Sequence, residues 1–189
     1  IQRFFQGFSF EQGEISQVLM KLLPPPPYTV CLDRTNWQFG VFNINILMLS
    51  ISYKGIAFPV VWIVLVKPGN SNTCERKDLI ERFLAFVDVK DIAMLVADRE
   101  FIGQAWFKFL NRRKIPFTIR VRQDALADAN KRVTLLFKKL KIGHSQVLTQ
   151  AYSIYGVQLN LCALRLDQHD WLILVTNRKP KQALKFYKR

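Results

Sequence analysis

From Thr35 to Val66 the chain carries one charged side chain, Lys54, in a stretch dominated by Val, Ile, Leu, Phe and Trp. Apolar surface on that scale has to leave water, and the β-branched and aromatic residues that supply it favour extended backbone over helix. Turn-forming residues divide the stretch, Lys54-Gly55 most clearly. The pattern predicts three consecutive strands, YTVCLD at 28–33, FGVFNINILMLSIS at 39–52 and GIAFPVVWIVLV at 55–66, joined as a meander. Its longest uncharged apolar run, 56–66, has 11 residues and includes Pro59, well short of the ~20 that cross a bilayer as a helix. A buried sheet is expected, and no membrane partner.

The flanks give the organisation. Residues 1–27 read as the tail of an N-terminal helical region closed by the prolines 24–27, a stiff linker that cannot continue a helix. The chain opens without Met or a signal-peptide layout and ends at KFYKR, and is read as an excised fragment. After the meander, a turn at Gly69-Asn70 leads to Asn72, three residues before Glu75, a capping-box spacing. Leu79, Ile80, Phe83, Leu84 and Val87 then predict a helix over 73–87. A fourth strand, 92–97, runs into Asp98, and Ile102, Trp106, Phe109 and Leu110 mark a second helix. In IPFTIRVR, 115–122, alternation puts Phe117, Ile119 and Val121 on one face and Thr118, Arg120 and Arg122 on the other. Residues 28–122 thus form the first part of an α/β core. Residues 123–169, with VTLLFKKLKIG, QVLTQAYSIYG and VQLNLCALRL and turns at Gly143 and Gly156, are expected to be an all-β insertion. Residues 170–189 return to the core with DWLILVTN and begin a helix with Pro180 in its first turn.

The net charge is +14 and the pI about 10.0. Its placement matters more: residues 112–141 hold ten Lys or Arg against Asp124 and Asp128, and 177–189 hold six with no acid. Basic segments kept apart from the apolar core point to a polyanion, and nucleic acid fits that better than a membrane surface. Cys31, Cys74 and Cys162 show no metal or disulfide spacing, which suits a reducing cytosol. His144 and His169 stand alone, with no nucleophile or ligand partner in view.

Two acids stand out against this background. CLDRTNW at 31–37 and IAMLVADREF at 92–101 each place an aspartate, Asp33 or Asp98, directly after an apolar strand-like run. Desolvating a carboxylate is costly, so each needs a partner; Arg99 is expected to pair with a local carboxylate. Three strands, helix, strand, helix, strand is the layout of a ribonuclease H-like mixed sheet with flanking helices. There the first and fourth strands are neighbours, and Asp33 and Asp98 would lie side by side on adjacent parallel strands. Paired hard oxygen ligands suit Mg²⁺, and displacement at a phosphodiester is assisted by two such ions about 3.5–4 Å apart.

LDRTNW at 32–37, GNSNTCER at 69–76, ADREFIG at 97–103 and FTIRVR at 117–122 together resemble the DDE transposases of bacterial insertion sequences, in particular the insertion-sequence-four family. The resemblance implies a ribonuclease H-like core interrupted by a β-rich insertion, and cut-and-paste DNA transposition with Mg²⁺ or Mn²⁺. It further implies double-stranded DNA, at element ends and target, as partner, a homodimer assembled on that DNA, and a bacterial cytoplasmic, nucleoid-associated setting. Asp33 and Asp98 match the family's first two catalytic and metal-binding acids. Arg120, Arg122 and Tyr187 match DNA-contacting positions, and Trp171 matches a tryptophan that stacks on a flipped base. The family's third acid is a glutamate about seven residues after the tyrosine matched by Tyr187, and so falls beyond residue 189. Glu75, Glu100, Asp167 and Asp170 are the substitutes within the chain. A nuclease of the same fold that only cleaves, and a DNA-binding fragment without chemistry, are the alternative functions.

Overall fold

A computed structural model describes residues 11–128 and 130–187; the readings made for residues 1–10, Lys188 and Arg189 lie outside them. Helix α1 (Gln12–Leu22) begins at a capping box between Glu11 and Glu14 and ends before the proline run. Then comes the meander: β1 (Tyr28–Phe39), β2 (Phe42–Tyr53) and β3 (Ile56–Leu65), paired antiparallel in sequence. β1 is longer than expected. Arg34-Thr35-Asn36-Trp37-Gln38, read from its polarity as a connection, stays extended because β2 pairs with it to the tip, Gln38 opposite Asn43 and Phe39 opposite Phe42.

Helix α2 (Thr73–Leu84) starts at the expected capping box, Asn72 Oδ1 accepting from Glu75 N–H at 2.9 Å and Glu75 Oε2 from Asn72 N–H at 2.7 Å. It crosses over to β4 (Ile92–Ala97), which lies parallel to β1, and α3 (Gln104–Arg112) crosses to β5 (Phe117–Val121), parallel to β4. Short connections force this arrangement, since parallel neighbours require a crossover element and a helix supplies one. β11 (Trp171–Thr176) then pairs antiparallel with β5, and α5 (Pro180–Tyr187) follows it.

The segment 123–169 departs from an all-β insertion in two ways. It contains β6 (Leu126–Ala127), β7 (Lys131–Arg132), β8 (Ser145–Val147), β9 (Tyr152–Ile154) and β10 (Val157–Arg165), but Val133–Leu136 is a short helix, α4. Its one buried residue, Val133, and the buried Phe137 at its C-cap stand four apart, a helical spacing that the apolar run in VTLLFKKL conceals. In addition, β10 belongs to the main sheet, its Asn160–Arg165 half lying against β11 while Val157–Leu159 pairs with β9. Among the described residues the architecture is mixed α/β, a mostly open sheet of 11 strands, parallel and antiparallel, with five helices. The order is β3-β2-β1-β4-β5-β11-β10-β9-β6-β7, with β8 also on β10.

The two faces of the central sheet are covered unequally. On one, α2 and α3 lay Leu79, Ile80, Phe83, Trp106, Phe107 and Leu110 over Val30, Leu32, Leu49, Leu95, Phe117, Ile119 and Val175, all buried in one cluster. Phe107 stacks on Phe117 with ring centroids 5.6 Å apart and planes 6° from parallel. On the other, α5 sets Ala183 on Cys162, Leu172 and Leu174. The outer strand β3 is capped by α1, whose Gln12 Nε2 donates to the Trp62 carbonyl at 2.7 Å and whose Ser16 Oγ donates to that of Val60 at 2.6 Å. Those bonds use acceptors that would otherwise template a further strand. No described helix is long and apolar enough to cross a membrane.

Because Phe107 is fully buried between helix and sheet, Phe107→Ala is expected to cost about 3–5 kcal/mol in urea unfolding. Val18→Ser, at an exposed site on α1, is expected to change the midpoint little.

Candidate active site

The parallel register pairs Val30 with Leu95, Cys31 with Val96 and Leu32 with Ala97, and stops there. Asp33 and Asp98 are the next residues on the two strands. Strand alternation sends Leu32 and Ala97, both buried, toward α2 and α3, and turns the exposed Asp33 to the opposite face. Asp33 therefore lies inside β1 rather than at its end. It marks the point where β1 parts from β4 while remaining paired with β2, opposite Met48. Asp98 is exposed and opens the turn after β4, its carbonyl accepting from Phe101 N–H at 3.0 Å.

Tyr187, the last residue of α5, reaches one of them. Its hydroxyl donates to Asp98 Oδ1 at 3.4 Å. Burial first, and then the negative charge of Asp98, push its pKa up to about 12; Arg120 opposes this, and the charge of Asp33 adds to it.

The other expected site residues divide. Arg120 is partly buried and committed to Asp170 Oδ1 at 3.4 Å, an acceptor that also takes Gln123 Nε2 at 2.9 Å. Arg122 is exposed and follows the last paired residue of β5; it lines a cavity of about 640 Å³ with Ile102, Asp124, Ser153 and Tyr155. The two arginines therefore have separate surroundings, where alternation alone puts them on one face, because β5 ends at Val121. Trp171 packs in the core cluster, 9% exposed, with the Arg165 guanidinium 4.9 Å above its ring.

The four substitute acids are each engaged elsewhere. Glu75 caps α2 and bonds Lys67 Nζ at 2.7 Å. Glu100 faces Arg34, with Nη2 to Oε2 at 3.1 Å; Arg34, and not the expected Arg99, takes this local carboxylate. Asp167 accepts from the His169 and Asp170 N–H groups at 2.7 and 2.8 Å, and Asp170 from Arg120, Gln123 and its neighbour Trp171. The Arg34–Glu100 pair is the feature that reading the sequence missed. Its signal was the Asp-Arg dipeptide repeated at 33–34 and 98–99, which suggests a local partner without saying which arginine takes it.

Two carboxylates at the same end of neighbouring parallel strands, with a hydroxyl beside one of them, are hard oxygen donors that suit a Mg²⁺ ion retaining several waters. Among the described residues no group of three or more His, Cys, Asp or Glu is placed to hold a metal ion. No protein-family model matches the chain, and no curated protein matches it in sequence.

The raised Tyr187 pKa has a sign that can be checked. The folded chain keeps this proton when the unfolded chain has lost it, so the contribution to stability is complete below the ordinary value of 10.0 and is lost as pH rises toward about 12. Removing the charge in Asp98→Asn is expected to lower the Tyr187 pKa, read from the ring-carbon chemical shift of labelled tyrosine. An unmoved titration would mean that the hydroxyl does not face Asp98.

Proposed function

We propose that this chain is the catalytic domain of a DDE-type DNA transposase built on a ribonuclease H-like core, acting on insertion-sequence ends. The observation that carries the reading is the emergence of Asp33 and Asp98 together where β1 and β4 part, in a sheet ordered β3-β2-β1-β4-β5. With helical crossovers on either side of β4 and the first and fourth strands as neighbours, that order supports a ribonuclease H-like reading. The sequence motifs at 32–37, 69–76, 97–103 and 117–122 fall on β1, the start of α2, the β4–α3 turn and β5, so all four gather near the same end of the sheet.

The chemistry follows from the residues. Asp33 and Asp98 are the residues that would hold a divalent cation. When bound, Mg²⁺ or Mn²⁺ neutralises charge on the phosphate and makes the attacking oxygen a better nucleophile. Tyr187, whose hydroxyl donates to Asp98 Oδ1 at 3.4 Å, orients that carboxylate. Phosphate oxygens of double-stranded DNA are met by exposed cations: Arg112, Lys114, Arg122, Lys131, Arg132, Lys138, Lys139 and Lys141, with Arg178, Lys179, Lys181 and Lys185 around α5. These contacts hold the duplex without reading its sequence. Arg120, held by Asp170 Oδ1 at 3.4 Å, is assigned to the same interface.

Two experiments test this. A duplex with a free 3′-hydroxyl at an element end is offered with target DNA and Mn²⁺ to this chain and to one lengthened by a few dozen residues at the C-terminus, and joined products are scored; joining is expected from the longer chain and little or none from the shorter, and in the longer chain it is expected to fall to background in Asp33→Asn and in Asp98→Asn. Cleavage without joining would favour a nuclease of the same fold. For the DNA surface, Arg120→Ala with Arg122→Ala is expected to reduce the slope of log affinity against log salt by about 2. An unchanged slope would remove both arginines from the interface.

A further inference from the structure

Backbone pairing of β1 with β4 ends at Leu32 and Ala97, one residue short of the carboxylates, so no ladder bond joins residue 33 to residue 98 directly. The next link across the gap is made by side chains. Arg34, which alternation turns to the side of β1 opposite Asp33, sends Nε to Glu100 Oε1 at 3.1 Å and to Oε2 at 3.3 Å, and Nη2 to Oε2 at 3.1 Å. Nη1 donates to Asn45 Oδ1 and Nη2 to Asn70 Oδ1, both at 3.2 Å. Both ends of this bridge are anchored. Asn45, fully buried, holds the loop after β3 by donating to the carbonyls of Lys67 at 3.0 Å and Gly69 at 2.9 Å. The Glu100 carbonyl accepts from Arg76 Nη2 at 3.1 Å, and Arg76, itself buried, is fixed by Ser71 Oγ at 2.9 Å and the Ser71 carbonyl at 2.6 Å.

We propose that the Arg34–Glu100 pair is a clasp that sets the separation of Asp33 and Asp98, and through it the affinity of the site for a divalent cation. This rests on reading those two carboxylates as a cation site. Arg34 adjoins Asp33 in the chain and Glu100 lies two residues beyond Asp98, so a two-pronged bond between them restrains both carboxylates at once. The side chains keep only 14% and 21% exposure, and a forked guanidinium–carboxylate pair shielded to that degree is both strong and directional. Mg²⁺ and its analogues tolerate little departure from octahedral geometry, so a restraint on ligand spacing acts on affinity. Both residues are positioning residues, acting on the cation through the aspartates.

Arg34 separates positioning from simple charge. As a charge it repels a cation, so removing it should tighten binding; as half of a clasp, removing it should weaken binding. The experiment measures Mn²⁺ affinity of the full chain by electron paramagnetic resonance of the free ion, with thermal midpoints recorded for each variant. Arg34→Gln and Glu100→Gln are each expected to weaken Mn²⁺ binding about tenfold, and the double variant no more than either alone. Glu81→Gln, which removes the same charge where Glu81 pairs with Arg113, is expected to leave affinity unchanged. Equal or tighter binding by a folded Arg34→Gln overturns the clasp, while loss of Mn²⁺ in Asp33→Asn would keep the cation site standing. If Asp33→Asn binds Mn²⁺ as the parent chain does, the cation site itself is wrong and the clasp falls with it. Should Arg34→Gln fail to fold, Arg34→Lys takes its place, keeping the charge without the fork; weaker binding supports the clasp and unchanged binding overturns it.

Discussion

The parallel pairing of β1 with β4 is the constraint on which the remaining structure depends. Parallel neighbours cannot be joined by a tight turn, so the chain has to leave β3, build α2 and return, and then repeat the move through α3 to reach β5. That brings residues 33 and 98, far apart in sequence, to the same end of adjacent strands. The pairing ends because the chain turns after Ala97: Phe101 N–H closes onto the Asp98 carbonyl, and Gly103, with φ of 134°, takes a backbone conformation closed to other residues before α3 begins. From there the strands diverge and side chains hold them.

Unequal covering of the sheet gives the carboxylates their setting. The face under α2 and α3 is sealed by large apolar side chains, and an acid there would meet the full cost of desolvation. Asp33 faces the other way, onto the side where α5 covers β10 and β11 and reaches β4 through Tyr187. There Asp33 and Asp98 are both exposed, and Asp98 accepts from the Tyr187 phenol.

Much of this was legible in the sequence, and the reasons differ between elements. β4 and the start of α2 were read correctly, since an apolar hexapeptide bounded by Asp98 and the Asn72/Glu75 capping box are local signals with little competition. The far half of β1 was not, because Arg34-Thr35-Asn36 looks like a loop until β2 lies beside it. α4 was read as strand because Val133-Thr134-Leu135-Leu136 is too short for its period to show. The surroundings of Trp171 and Arg122 were not legible: that Arg165 covers the indole ring, and that β5 ends at Val121, depend on tertiary neighbours. The same holds for Glu100. As a sequence letter it was a spare acid, and only the fold shows it bound to Arg34.

The most direct measurement is a crystal structure of the chain soaked in Mn²⁺, with anomalous scattering locating the ion. A peak is predicted between Asp33 and Asp98, about 2.1 Å from an oxygen of each, on the face that Tyr187 overlooks. An ion bound elsewhere while this site stays empty, or two carboxylates too far apart to share one, would contradict the cation site from which the proposed chemistry was built.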